Sequence, residues 1–151
     1  MMVKALAACA VILFAAGCAA SASGRQARTY ISPRTSADAS QPPFSGAVRV
    51  GDTLYLSGAI GIDANQRVPD TPEAEAKAVL DSIKATLADA GMTMDDLVYV
   101  QIFCSDVTHY AAFNGVYRTY FSREFPARAF IGSGRLLFDA RFEVQGIAVK
   151  R

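Results

Sequence analysis

Phe125-Pro126-Ala127-Arg128-Ala129-Phe130-Ile131 and, near the C-terminus, Phe142-Glu143-Val144-Gln145-Gly146-Ile147-Ala148-Val149 are the stretches from which the fold is read. Both are rich in β-branched and aromatic residues and bounded by Gly, Asp or the chain end, the pattern of strands. Between them, Gly132 to Asp139 holds two glycines and an Asp, enough for a hairpin connection. A hairpin centred between Arg135 and Leu136 sets Arg128 opposite Glu143. Moving the centre by one residue makes them diagonal neighbours, still on one face. A charged pair inside apolar strands has two readings: an ion pair that serves the fold, or a site.

Working outward, Tyr110 to Phe121 reads as a helix capped by Thr108, with Phe113, Val116, Tyr117 and Tyr120 as an apolar stripe. That stripe is read as core packing. Leu97 to Cys104 is an apolar run led in by Asp95-Asp96, and reads as a strand. Pro72 to Ala90 is the clearest helix: Thr71 can cap it, Pro72 suits its first position, and Gly91 follows its end. Ala76, Val79, Leu80, Ile83, Leu87 and Ala90 recur on one face at the helical period. Phe44 to Val50 and Thr53 to Ser57 flank Gly51-Asp52 as a two-residue hairpin does. Ser57-Gly58 and Gly61 then mark backbone that a ligand can approach closely. With Arg28 to Ser32 as a short edge strand, the order is β-β-β-α-β-α-β-β. This is an α+β fold, a mixed sheet with two helices on one face.

Met1 to Gly17 carries one basic residue, Lys4, and an apolar run from Ala5 to Ala16, too short to span a bilayer and fitting a signal peptide. It ends in Ala15-Ala16-Gly17-Cys18, similar to a lipobox, with Cys18 as the lipidated residue. Ala20-Ser21-Ala22 is a competing cleavage site. The domain plan is therefore a signal peptide over 1–17, a tether over 18–27 and one domain over 28–151. The expected location is the periplasm or the membrane surface, with the lipid as sole membrane contact. Cys9 leaves with the signal and Cys18 takes lipid, so Cys104 remains, read as a small buried hydrophobe.

The 151-residue chain is 52% hydrophobic and 19% charged, which excludes a disordered protein. Without residues 1–17 the basic count falls from 15 to 14 and equals the 14 acidic residues. With no basic stripe interleaved with aromatics, no nucleic-acid partner is expected. His109 is the sole histidine, read as exposed in the first turn of a helix, so a nucleophilic triad has no suitable base. Neither metal-ligand spacing nor a glycine-rich phosphate loop occurs, so no metal and no cofactor are expected. What remains is Arg128, a fork of fixed donors suited to a carboxylate, and Glu143, which can orient or deprotonate a water. Such a pair suits hydrolysis of an already electrophilic bond.

Several segments carry a resemblance in their joint order: Pro43-Phe44-Ser45-Gly46-Ala47-Val48, Leu54-Tyr55-Leu56-Ser57-Gly58, Asn114-Gly115-Val116-Tyr117 with Tyr120-Phe121, Phe125-Pro126-Ala127-Arg128, and Phe142-Glu143-Val144 through Ile147-Ala148-Val149. Over residues 28–151 the chain resembles the YjgF/RidA family of reactive-intermediate deaminases. The resemblance implies a chorismate-mutase-like subunit in a homotrimer whose clefts lie between subunits. It also implies hydrolysis of enamines and imines, such as 2-iminobutanoate and 2-iminopropanoate, to 2-oxo acids and ammonia. Carried over by position, Arg128 holds the substrate carboxylate, Glu143 positions the water, and Asn114 and the backbone around Gly58 line the cleft. The family commonly has Tyr where Phe44 stands, Gln at Gly46, a Cys or small residue at Phe130 and Pro at Leu137. Phe44 and Phe130 thus reshape the expected substrate pocket. The alternatives are a non-catalytic binder of small carboxylates on the same trimer in the cell envelope, and a purely structural or chaperone-like surface protein.

Overall fold

The computed structural model describes residues 26–32, 40–63 and 65–151. The signal peptide, Cys18 and most of the tether lie outside the described residues. Six strands form one sheet: β1 (Arg28–Ile31), β2 (Ala47–Val50), β3 (Thr53–Ile60), β4 (Leu97–Cys104), β5 (Ala127–Gly132) and β6 (Phe142–Val149). Two α-helices, α1 (Pro72–Asp89) and α2 (Tyr110–Tyr117), cover one of its faces. The element order is the expected one.

Local chemistry explains each element. Gly51-Asp52 joins β2 to β3 with Val50 opposite Thr53, and Gly51 takes a φ of 59°, which a side chain would oppose. Thr71 caps α1 by accepting from the Ala74 N–H, and Pro72 opens the helix. Its stripe of Ala76, Val79, Leu80, Ile83 and Leu87 is buried, together with Ala90 just past its end. The start of α2 differs from expectation. A 3₁₀ turn over Val107–His109 precedes it, so the capping side chain is Asp106, accepting from the Thr108 N–H, and not Thr108. The helix proper ends at Tyr117 and tightens into a second 3₁₀ turn over Arg118–Tyr120. His109 is half-buried with its ring edge-on to Phe142, not exposed. Cys104 is fully buried; burial pushes its thiol pKa up, and its Sγ donates to the Asp106 carbonyl.

The largest departure is strand order. The sheet runs β1-β2-β3-β6-β4-β5, with β4 and β5 parallel and every other pair antiparallel. The expected β5–β6 hairpin does not form. Instead β4-α2-β5 is a parallel crossover, β5 is an edge strand, and β6 inserts between β3 and β4. The segment after β5 passes the end of β4, tied there by Ser133 N–H to the Cys104 carbonyl and Ser105 N–H to that of Arg141. Parallel neighbours require a long crossover, and α2 supplies it.

Alternation then sorts the residues between two faces. Toward the helices point Leu54, Leu56, Val100, Ile102, Phe142 and Val144, all buried. The other face carries a cross-strand row, Tyr30, Val48, Tyr55, Ile147 and Tyr99, in register from β1 to β4. Tyr30 and Tyr55 are each 50% exposed, so this row is largely uncovered in the single chain.

One buried charge was not singled out from sequence. Glu75, fully buried in the first turn of α1, accepts from the N–H groups of Arg141 and Phe142 and from Arg141 Nη1 at 2.8 Å. Arg141 also donates to the carbonyls of Pro69 and Asp70. This cluster pins the start of β6 to α1 and so sets the place of Glu143. The legible signal was a Glu one residue before Ala76, on the face that α1 buries.

Candidate active site

Arg128 sits on β5 in register with Val100, so its side chain points to the helix face. There its Nη1 donates to Asn114 Oδ1 of α2 at 2.8 Å. Its guanidinium carbon lies 4.8 Å from the centre of the Tyr117 ring, 5.8 Å from Tyr110 and 5.9 Å from Phe130. These are cation–π distances. Among the described residues, no carboxylate lies within ion-pair distance of Arg128, which is half-buried. Most of its N–H donors stay free for an anion. Beside it opens a cavity of about 220 Å³ whose walls include Tyr110, Tyr117, Phe125 and Pro126. The Tyr117 hydroxyl is buried with no hydrogen-bond partner among the described residues, and burial pushes its pKa up to about 12 despite the nearby Arg128.

Glu143 lies between Phe142 and Val144, both buried on the helix side, so its carboxylate faces the opposite side of the sheet. It stands in register with Ile60 on β3 and Phe103 on β4. The β3–β6 register slips between Leu56 and Ala59, and this bulge brings Gly58 under the carboxylate. A Cβ on Gly58 would fall 2.0 Å from Glu143 Oε1, so only glycine admits the side chain in this pose. Among the described residues the Glu143 carboxylate has no ion-pair partner. The Phe44 ring, 54% exposed, belongs to the loop tied to the neighbouring Ser57: the Ser57 hydroxyl donates to the Ser45 carbonyl and its N–H to that of Gly46.

The expected residues therefore fall into two groups. Arg128, Asn114 and Phe130 come together on the helix side of β5, whereas Glu143, Gly58 and the Phe44 loop gather across the sheet. The expected cross-strand pairing of Arg128 with Glu143 is overturned, and with it the reading of the two as a buried ion pair. They point to opposite faces because Arg128 is in register with Val100 of β4 and Glu143 with Phe103, and an odd step along a strand reverses the side chain. The aromatic lining by Tyr110 and Phe125 was not foreseen; its signal was a pair of rings at the two ends of the α2-to-β5 segment.

The class that this architecture defines is an α+β subunit with a mixed six-stranded sheet, two helices on one face, and on its edge strand an arginine with no carboxylate partner among the described residues. A sequence profile described as Endoribonuclease L-PSP matches residues 35–150, and the chain belongs to that family, the YjgF/RidA family of the resemblance. It is 39% identical over 110 residues to a RutC family protein of Saccharolobus solfataricus, covering 72% of this chain and 87% of the relative. A 2-iminobutanoate/2-iminopropanoate deaminase of Dermatophagoides farinae is 38% identical over 109 residues, covering 71% and 85%. The crystal structure of the YjgF gene product of E. coli superposes with a TM-score of 0.69 at 32% identity, covering 72% of this chain and 89% of that one.

Proposed function

We propose that the protein hydrolyses enamines and imines of 2-amino acids to 2-oxo acids and ammonia, in clefts shared between copies of the chain in a homotrimer. The observation that carries this is Arg128, half-buried, oriented by Asn114, and free of any carboxylate among the described residues. A cation held that way is built for an external anion. The opposite-face placement of Glu143 supports the shared cleft, since one copy alone offers each half of the site on a different side of its sheet. The uncovered row of Tyr30, Tyr55, Ile147 and Tyr99 supports assembly through that sheet face.

In the reaction, Arg128 of one copy holds the substrate carboxylate, while Glu143 of a neighbour takes a proton from water. The water oxygen bonds to the imine carbon, and the C=N π electrons move to nitrogen, giving a carbinolamine. Glu143 gives that proton to the nitrogen, making it an amine; the hydroxyl proton then passes through Glu143 to the same nitrogen as the C–N bond breaks, so the carbonyl forms and ammonia leaves. Imine plus water gives 2-oxo acid plus ammonia, with no change of oxidation state; an enamine first gains a proton on carbon. The family description names an endoribonuclease, but a formal net charge of +1 offers a polyanion little attraction. Glu143, unengaged by any cation among the described residues and able to act on water, favours the hydrolase over a mere carboxylate binder.

Mixing two variants tests the shared cleft. Arg128→Ala and Glu143→Gln are each expected to be inactive on 2-iminobutanoate, and mixed trimers of the two should regain activity because some clefts then carry both native residues. If mixing restores nothing while the parent protein is active, the shared cleft is wrong. The N-terminal run and Ala15-Ala16-Gly17-Cys18 support export and lipidation at Cys18 as part of the same proposal.

A further inference from the structure

The cavity beside Arg128 offers more room and more aromatic wall than the side chain of a short aliphatic imine fills. Tyr110 and Phe125, 49% and 53% exposed, flank it. Both are held by further rings. Tyr110 meets Phe130 edge-to-face at 5.0 Å, and Phe125 stacks on Tyr117 at 6.2 Å with Phe121 at its edge. The exposed ring surfaces are therefore preorganised, not loose side chains at a surface. At the base of the same space lies the Arg128 guanidinium, its carbon 4.8 Å from the Tyr117 ring centre.

A 2-imino acid whose carboxylate takes the free donors of Arg128 has its side chain next to these walls. An ethyl or methyl group leaves most of a 220 Å³ space unfilled. By comparison, an apolar cavity of about 150 Å³ accepts benzene. We infer that this site recognises 2-imino and 2-oxo acids with an aromatic side chain in preference to short aliphatic ones. This rests on the hydrolase reading for turnover, although recognition can be measured without it. A single methylene in an apolar pocket is worth roughly 10–200-fold, so a benzyl group in place of ethyl should gain at least about tenfold. Arg118 at the rim adds a second cation, so a dicarboxylate is the competing ligand.

The test has a binding arm and a turnover arm, both on the mature protein. Calorimetric titration compares 2-oxo-3-phenylpropanoate with 2-oxobutanoate and 2-oxoglutarate; the aromatic acid should bind at least tenfold more tightly than either. Parity, or tighter binding of 2-oxobutanoate or 2-oxoglutarate, overturns the proposal. The turnover arm measures hydrolysis of imines generated in place by an amino-acid oxidase from phenylalanine and from 2-aminobutanoate. If neither imine is consumed but the aromatic acid binds preferentially, the hydrolase reading falls and the recognition stands. If both are consumed with equal kcat/KM, the hydrolase reading stands and the aromatic preference is wrong. Phe125→Ala should cut the aromatic-to-aliphatic binding ratio severalfold with the assembly unchanged by sedimentation. An unchanged ratio, or a variant that dissociates, shows that the ring serves something other than ligand selection and overturns the proposal.

Discussion

Replacing Gly58 with alanine probes the Glu143 half of the site with a single methyl group. An ideal Cβ there lies 2.0 Å from Glu143 Oε1 and 3.0 Å from its carboxyl carbon. Non-bonded heavy atoms rest at about 3.5 Å, so the oxygen must retreat by on the order of 1.5 Å. The obstacle is the end of a rotatable side chain, so the strand survives. Gly58 is not among the residues with positive φ, and alanine in a strand is favoured over glycine by roughly 0.5–1 kcal/mol. Folding stability should therefore stay within about 1 kcal/mol of the parent. Catalysis should not, because a displacement of about 1 Å at a reacting group can cost on the order of 10² in rate. The assay is kcat for imine hydrolysis alongside a melting curve and titration of a 2-oxo acid. The expected result is a fall in kcat of about 10², equivalent to roughly 2.7 kcal/mol of barrier, with binding to Arg128 retained. In a double-variant cycle, Gly58→Ala combined with Glu143→Gln should be no slower than Glu143→Gln alone. Undiminished kcat in Gly58→Ala, or full additivity in the cycle, would refute the role assigned to the Glu143 carboxylate.

Arg128→Lys should lose at least about tenfold in 2-oxo acid affinity because the planar fork is gone, with thermal melting nearly unchanged since no carboxylate is left unpaired. Glu143→Gln should keep binding and lower kcat by about 10²–10⁴. Glu75→Ala contrasts with both: it leaves two N–H groups and the half-buried Arg141 guanidinium without their carboxylate, so about 3–5 kcal/mol of stability should disappear, read as a drop of roughly 10–20 °C in Tm. Cys18→Ser should release the protein from the membrane fraction or block processing; fractionation like the parent instead points to cleavage at Ala22.

Sequence alone determined the elements and the residue types that matter. Helical period and end chemistry placed α1 over Pro72 to Ala90, between the Thr71 cap and Gly91, and Gly51-Asp52 marked the β2–β3 hairpin, because caps and tight turns are decided within a few residues. Arg128 and Glu143 were legible as charges inside apolar strands and Gly58 as backbone open to close approach, whereas Asn114 entered through the family resemblance. Which strands become neighbours was not legible. Gly132 to Asp139 has the composition of a hairpin turn, yet it carries the chain past the end of β4 into the slot between β3 and β4. Alternation tells which residues of one strand share a face, but the face is defined only once the strand has found its partners. That choice rests on long-range packing: β6 buries Phe142 and Val144 against the helices, and Glu75 fastens its first residues to α1. Only the tertiary structure therefore set Arg128 and Glu143 on opposite sides of one sheet: each takes its face from the β4 residue it pairs with, Val100 or Phe103, and no short-range signal in either strand encodes that register.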